Sequence, residues 1–384
     1  MRVKLSRRAR WAVPGIAVAV TAATVAALQI PAAQASPNLP GRTPAQLLAS
    51  ISSDAKVPPM TGTVVETASL GLPQLPQTGN PTSPASLLTG SHTMKVYYQD
   101  ASHFRLAVPQ PESETDVIAD GSKLWLWQSN TDSVTEFIPP ADKAKHSTPK
   151  LPKTPLTPQQ AADQVVAAVG KTTLVSVQDN VMVAGEPSYQ LVLAPKDHRS
   201  LVGKVVVAID GKYGVPLRVQ LYAKGASSPA FQVGYTALQW VTPDPANFSF
   251  TPPKGASVDV VNLGSEAAKS GASKPDTSGV GSYGKSWLTV VSLPQKDLMQ
   301  GFGTVAGGPG KQQDIASANN KGVGVSPSEL FNALLGSAKP VSGSWGSGTL
   351  VTTSLVSMLM TGGQVYIGAV QPSVLYAAVG HTTS

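Results

Sequence analysis

Short runs of β-type residues, separated by links of hairpin length, fill most of the chain between residues 62 and 240. Two of the links, Asp120–Gly121 and Asp210–Gly211, carry a dipeptide that is typical of tight β-turns. About eleven runs can be counted, at 62–69, 93–98, 104–108, 115–119, 124–128, 134–138, 174–177, 189–194, 204–209, 217–222 and 230–240. An antiparallel sheet of so many strands curls rather than staying flat. The sequence therefore predicts an α+β fold whose main part is a strongly curved antiparallel half-barrel of about eleven strands.

Three short helices are predicted from a shared start pattern, in which a hydroxyl residue precedes a proline and a Gln or Glu follows two residues after the proline. The pattern occurs at Thr43–Gln46, Thr157–Gln160 and Ser326–Glu329. An apolar stripe at helical spacing follows each one, and we expect the helices to end by residues 53, 170 and 336. Helices of this kind would form a lid over the concave side of the sheet.

Residues 1–35 are predicted to be a signal peptide. A basic stretch, Arg2–Arg10, precedes an uncharged apolar run, Trp11–Leu28, and a small-residue exit follows at Ala33–Ala35. An uncleaved N-terminal anchor is the alternative, because about 18 apolar residues can just span a bilayer. Pro14–Gly15 within the run and the small-residue exit favour cleavage after residue 35. The pair Arg7–Arg8 leaves both Sec and twin-arginine export open. We expect an exported protein, periplasmic or extracellular and associated with the cell envelope.

The net charge of +7 belongs to the leader rather than to the folded part. Five Lys and Arg residues lie in the first ten positions, and without them 24 basic side chains face 22 acidic ones. A nucleic-acid binder needs a clustered basic footprint, which this remainder lacks. The chain has no cysteine, which excludes a disulfide framework, a thiolate nucleophile and a cysteine-based zinc site. An apolar share of 41% is nevertheless sufficient for a packed core.

A Gly- and Ser-rich segment, residues 263–284, lacks apolar periodicity and is predicted to be a flexible linker. Residues 285–384 are predicted to form a smaller C-terminal α+β unit. Its expected elements are strands at 287–293, 349–360 and 364–370, a turn at Gly362–Gly363, and a closing helix at 372–379.

The segment Gly279–Ser286 matches the pattern of a phosphate-binding loop, but its context argues against a nucleotide site. Such a loop follows a buried strand and opens a helix. Here it follows a polar stretch and leads into a strand-like run at residues 287–291. The five histidines are scattered, and no nucleophile-elbow motif occurs. We therefore predict no catalytic residue, no metal site, no cofactor and no nucleotide, and expect that the protein is not an enzyme.

Three stretches, in order along the chain, carry recognisable motifs. The first runs from Phe104 to Trp127 and contains the sequence DGSKLWLW after its first strands. The second, Tyr189–Lys196, is a strand-like run that ends in a Pro-Lys pair, and the third, Phe248–Gly255, has the pattern F-x-F-x-P-P-x-G. Together they resemble the outer-membrane lipoprotein carrier (LolA-like) superfamily, in which the third pattern ends the family domain. The resemblance assigns residues 36–262 to a LolA-like half-barrel domain.

This resemblance implies an unclosed, curved sheet with an apolar hollow that binds lipid or acyl chains. It places Phe104 on the cavity side, and strand alternation puts Phe104, Leu106 and Val108 on one face, opposite Arg105 and Ala107. The predicted ligand-binding residues are Phe104, Leu106, Val108, Trp125 and Trp127. The two tryptophans share one face of their strand, and Leu124 and Leu126 share the other; the sequence leaves open which pair faces the hollow.

Two functions follow from the resemblance. The first is extracytoplasmic, non-enzymatic binding or carrying of a lipid or of a lipoprotein acyl chain. The second is that of the RseB-like or MucB-like periplasmic regulators of a sigma-factor pathway, which use a similar domain followed by a smaller one. In that case the partner is the outer domain of a membrane-anchored anti-sigma factor. The C-terminal unit is the feature that favours the second function, because a carrier needs only the first domain.

Overall fold

The computed structural model describes residues 36–52, 57–71, 89–138, 170–262, 279–296 and 336–381. From Asn38 onward they belong to one compact unit. The predicted signal peptide and the predicted helices that follow Thr157 and Ser326 lie outside the described residues.

A single large sheet of twelve strands dominates the structure, and all eleven strands predicted for it are present. The strands are β1 (Met60–Ser69), β2 (Thr89–Asp100), β3 (His103–Pro109), β4 (Glu114–Asp120), β5 (Lys123–Gln128), β6 (Ser133–Ile138), β7 (Thr173–Val183), β8 (Glu186–Pro195), β9 (Val202–Asp210), β10 (Pro216–Ala223), β11 (Phe231–Gln239) and β12 (Ser257–Asn262). Their order in the sheet is β12-β6-β5-β4-β3-β2-β1-β11-β10-β9-β8-β7, so β12 and β7 are the two edges and the sheet is open.

The twelfth strand corrects the prediction of a purely antiparallel sheet. Strand β12 pairs with β6 in parallel, residue for residue from Ser257 opposite Ser133 to Asn262 opposite Ile138. A parallel partner must arrive by a long connection rather than a hairpin. Here the chain crosses from β11 through a short 3₁₀ helix, Pro245–Asn247, before it reaches β12. The sheet is therefore mixed.

The first predicted helix is confirmed as α1 (Pro44–Ser52), and its start has the hydrogen bonds that the pattern implied. The backbone N–H of Thr43 donates to Gln46 Oε1 at 2.9 Å, and the backbone N–H of Gln46 donates to Thr43 Oγ1 at 3.2 Å. This reciprocal pair satisfies two of the amide groups that a helix N-terminus leaves without partners. The buried side chains Leu47 and Leu48 then hold the helix against the sheet.

A second, six-stranded sheet follows, formed by β13 (Gly281–Tyr283), β14 (Val290–Pro294), β15 (Lys339–Gly343), β16 (Gly346–Thr352), β17 (Ser357–Thr361) and β18 (Gln364–Gly368). The closing helix is confirmed as α2 (Pro372–Ala378). Three predictions need correction. The first residues of the strand predicted at 287–293 form a short 3₁₀ helix, Ser286–Leu288, and β14 begins only at Val290. The last residues of the predicted linker form strand β13, and the run predicted as one strand at 349–360 is divided between β16 and β17.

Backbone hydrogen bonds join the small sheet to the large one. The N–H of Leu201 donates to the carbonyl of Ala369 at 2.9 Å, and the N–H of Gln371 donates to the carbonyl of Arg199 at 2.8 Å. Leu355 lies in the same junction, in a buried cluster with Val202 and Ala223. Since both main-chain and apolar contacts cross this boundary, the two sheets are fixed to each other.

Truncation of Leu355 tests this junction. We expect Leu355→Ala to lower the free energy of unfolding by about 2–4 kcal/mol, because it leaves a cavity between the sheets. Val356→Ala is the matched control, since Val356 is 37% exposed and should cost little. Urea unfolding followed by tryptophan fluorescence should show one transition, shifted only by the Leu355 change. Two separate transitions in the unmodified protein would contradict a fixed junction.

The ring of Tyr235 leaves no room for a Cβ atom at Gly62, the third residue of β1. A Cβ atom at this position would lie 2.8 Å from Cδ1 of Tyr235 and 2.9 Å from the carbonyl oxygen of Ala237. We expect Gly62→Ala to destabilise the fold by about 1–3 kcal/mol, and by less in a Tyr235→Leu background, as measured by thermal unfolding. Gly41→Ala is the control, because no atom lies within 4 Å of its Cβ position. An equal loss in both backgrounds would show that the ring is not the cause.

Candidate functional site

One face of the large sheet is apolar from β7 across to β6, and we call it the apolar face. Residues opposite each other in antiparallel pairs point to the same side, so the register defines its members. For example, Tyr98 of β2 lies opposite both Met60 of β1 and Phe104 of β3. The half-exposed apolar members are Met94, Val96, Phe104, Leu106, Val108, Val117, Leu124, Leu126, Phe137, Val175, Val177, Leu193, Val205, Val207, Val219, Leu221, Phe231 and Val233.

Three of the five predicted ligand-binding residues lie together on this face. Phe104 is opposite Ala119, Leu106 is opposite Val117, and Val108 is opposite Thr115. All three side chains are half-buried. The predicted alternation is confirmed as well, since Arg105 and Ala107 point to the other side of the sheet.

The structure places the other two predicted residues, Trp125 and Trp127, on the opposite face. Trp125 pairs with Ile118, and Trp127 pairs with Asp116, both of which share the side of Arg105. It is Leu124 and Leu126 that join Phe104 and Leu106 on the apolar face. The five predicted residues therefore do not form one site.

The tryptophans are covered by the segment that leads into β12. The ring of Phe250 lies 5.7 Å from that of Trp125 and 6.1 Å from that of Trp127, and the cluster continues to Ile118 and Val134. The F-x-F sequence thus covers the face of strands β4 to β6 that carries the two tryptophans. These aromatic contacts give the tryptophans a role in the core of the fold.

Helix α1 packs on the apolar face at the β7 end of the sheet. Leu47 and Leu48 contact Tyr189, Leu191 and Ile209, all of which belong to that face. The hydroxyl of Tyr189 donates to the carbonyl of Pro40 at 2.7 Å, which ties the segment before the helix to the sheet. One end of the apolar face therefore lies beneath a helix.

Glu66 is a charged residue on this face that the motif analysis missed. Its side chain is 4% exposed, neither carboxylate oxygen has a hydrogen-bond partner among the described residues, and its cross-strand neighbours are Val233 and His92. Burial raises the pKa of Glu66 above its ordinary value near 4.5, and the charge of His92 offsets part of that rise. Strand alternation is the sequence signal that could have identified Glu66, because it places this residue on the same side of β1 as Val64 and Ala68.

A second buried carboxylate lies on the opposite face. Arg105 Nη2 donates to Glu114 Oε1 at 2.9 Å and also to Asp116 Oδ2, and Asp116 is almost fully buried. Burial raises the pKa of Asp116 to about 6, although Arg105 acts in the other direction. The cluster therefore joins one arginine to two carboxylates on the face opposite Phe104 and Leu106.

Within the described ranges, no three His, Asp or Glu side chains come together as metal ligands would. Among the helices in those same ranges, none combines the length and apolar character needed to span a bilayer.

The pH dependence of stability tests the position of Glu66. Above pH about 4.5 the unfolded chain loses this proton while the folded protein retains it, so stability falls as the pH rises through that range. Glu66→Gln should flatten this part of the profile and raise stability at neutral pH. Chemical unfolding between pH 4 and 7 measures the effect, with the exposed Glu112→Gln as control. A Glu66→Gln profile parallel to that of the unmodified protein would contradict burial of the carboxylate.

No protein-family model matches the chain, and no curated protein matches it either. Among solved structures, the chain is similar to one from the complex of Pseudomonas aeruginosa MucA and MucB, with 12% identity and a TM-score of 0.41 over 88% of this chain and 96% of that one. It is also similar to a LolA-superfamily protein from Nitrosomonas europaea, with 11% identity and a TM-score of 0.21 over 55% of this chain and 99% of that one. At these scores the similarity carries no argument about this chain, and the site is defined by the chain's own register, packing and charges.

Proposed function

We propose that the protein binds a lipid, or the acyl chain of a lipoprotein, on the apolar face of its open sheet, without chemical turnover. The observation that carries this proposal is the extent of the face, which runs over eleven neighbouring strands with most of its side chains only half-buried. Contiguous apolar surface that remains partly exposed marks a ligand groove or an interaction site.

The chemistry of the face suits an acyl chain. Its acidic and basic members on the described strands are Glu66, His92 and Asp259, and Asp259 lies on the edge strand β12. Each CH₂ group moved from water onto such a surface contributes about 0.8 kcal/mol, and no polar partner has to be matched. A chain of carbon atoms can therefore bind here without specific hydrogen bonds.

We further propose that the sheet is a strongly curved half-barrel and that the apolar face is its hollow. Four strand pairs carry register shifts, among them those next to Val64 in β1 and between Gln178 and Val181 in β7. Such bulges bend strands and increase their twist. The packing of α1 on this face supports a helical lid.

Regulation through a membrane-anchored partner is the second candidate function. The junction between the sheets favours it, because Leu355 lies in a buried cluster against which Trp287 packs, as do Val205 and Leu221 at one end of the apolar face. A ligand on the face could in this way change the surface that residues 285–384 offer to a partner. We propose that residues 36–262 hold the ligand in both functions. Export of the chain, which both require, rests on the leader-like sequence of residues 1–35.

Substitution on the two faces of the sheet tests the proposal. We expect Leu106→Gln to lower affinity for a fluorescent long-chain fatty acid about tenfold, because it places an amide among the apolar side chains. The matched control is Val65→Gln, since Val65 is half-buried on the opposite face of β1. Affinity is measured by titration of the purified mature chain, together with mass spectrometry of its organic extract.

Equal affinities of the two variants, or an extract free of lipid combined with no fatty-acid binding, would contradict a ligand on the apolar face. Turnover of an acyl ester by the unmodified protein would contradict a binding role without chemistry.

A further inference from the structure

A pocket of about 350 Å³ lies at the junction of the two sheets, and three of its lining residues are lysines. Lys171 precedes β7, Lys196 follows β8, and Lys285 belongs to the turn between β13 and β14. They are far apart in sequence, and only the docking of the small sheet brings the third beside the first two. Apart from its leader, the chain is nearly neutral, so three ammonium groups at one cavity form a local concentration of positive charge.

The lysines have donor capacity to spare. Lys196 Nζ donates to the carbonyl of Gly170 at 2.6 Å, which holds the ammonium at the pocket and leaves two of its N–H groups free. Among the described residues, the ammonium groups of Lys171 and Lys285 have no hydrogen-bond or ion-pair partner. All three ammonium groups can therefore serve a ligand.

The carboxylate of Asp197, which also lines the pocket, is already paired with Arg199. Asp197 Oδ2 accepts from Arg199 Nη2 at 2.7 Å, and Asp197 Oδ1 accepts from Arg199 Nε at 3.1 Å. Arg199 also holds the pKa of Asp197 well below its usual range. This pair has no net charge, so it leaves the positive potential of the three lysines in place.

The turn that carries Lys285 is held in an unusual conformation. Gly284 has a φ of +80°, and a Cβ atom there would lie 2.2 Å from the carbonyl oxygen of Leu288, while Ser286 has a φ of +55°. Two contacts across the junction hold this turn: Ser286 Oγ and Thr172 Oγ are 2.8 Å apart, and the indole N–H of Trp287 donates to Thr173 Oγ1 at 2.7 Å. Strain of this kind persists only where the surroundings impose it, and it is concentrated at ligand sites.

We propose that this junction pocket binds an oxyanion of the phosphate type through Lys171, Lys196 and Lys285. The ligand is either free phosphate or the phosphate headgroup of an amphiphile, and only the second possibility rests on the proposed function. Trp287 makes the second possible, because it lines the pocket and packs against the same buried cluster, Val202, Ala223, Ala230 and Leu355, as do Val205 and Leu221 of the apolar face. A headgroup in the pocket would leave its acyl chain at the end of that face.

The test compares the full mature chain with a triple variant, Lys171→Gln, Lys196→Gln and Lys285→Gln. The charge-matched control is Lys95→Gln, Lys254→Gln and Lys339→Gln, all exposed positions away from the pocket. Inorganic phosphate is titrated first, with the indole NMR signal of Trp287 as the readout. We expect a saturable shift in the unmodified protein and in the control, and at least a tenfold weaker response in the pocket variant, with chloride giving no shift.

Lysophosphatidate and monoacylglycerol of equal acyl length then separate the two sources of phosphate. A headgroup site predicts about a tenfold preference for lysophosphatidate that the pocket variant loses, while its affinity for monoacylglycerol stays unchanged. If neither lipid binds but phosphate still shifts the Trp287 signal in a lysine-dependent way, the pocket is a free-phosphate site and the proposed function fails. Phosphate responses that are absent, or equal in the pocket and control variants, would overturn the oxyanion site whether or not lipid binds.

Discussion

Register between neighbouring antiparallel strands is the constraint on which the rest of this structure depends. Because side chains alternate between the two sides of a strand, one fixed pairing decides the side for every residue of both strands. Because Tyr98 pairs with Phe104 and Val96 pairs with Leu106, the apolar side chains of β2 and β3 lie on the same side of the sheet. The pairings of the neighbouring strands extend this apolar side in both directions. A slip of one residue between β2 and β3 would bring Arg105 or Lys95 into the apolar surface. Burial and pairing therefore select the same arrangement.

Local patterns predicted the elements well, and the reason is visible in their hydrogen bonds. The turn at Asp210 is held by its own carboxylate, which accepts from the backbone N–H groups of Lys212 and Tyr213. The capping pair of Thr43 and Gln46 is likewise complete within four residues. Both partners of such a hydrogen bond lie within a few residues of each other, so a short stretch of sequence is enough to predict it. Strand β12 could not be predicted in the same way, because its partner β6 lies more than a hundred residues earlier in the chain.

The candidate site was predicted only in part, for a related reason. Alternation within a strand groups Phe104 with Leu106 and Trp125 with Trp127, but it cannot say how the two groups relate. That relation depends on which residues face each other across two hairpins, and here Ile118 links the side of Arg105 to that of Trp125. The resemblance gave no help, since large aromatic residues fit a ligand cavity and a packed core equally well. Lys171, Lys196 and Lys285 share no sequence pattern at all, because the pairing of β7 with β8 brings the first two together and only the docking of the small sheet adds Lys285.

The contacts at the junction between the sheets would hold the two parts of the protein together even if the chain between them were cut. The main-chain bonds from Leu201 to Ala369 and from Gln371 to Arg199, with the Leu355 cluster beside them, join the halves independently of the segment that connects Asn262 to Gly279. A single protease cut in that segment would leave two fragments held together as one particle, which would separate only in denaturant. Limited proteolysis followed by electrophoresis under denaturing conditions would therefore overstate the loss of intact protein, and size-exclusion chromatography would give the truer measure. The same property would allow the two fragments to be produced separately and reassembled.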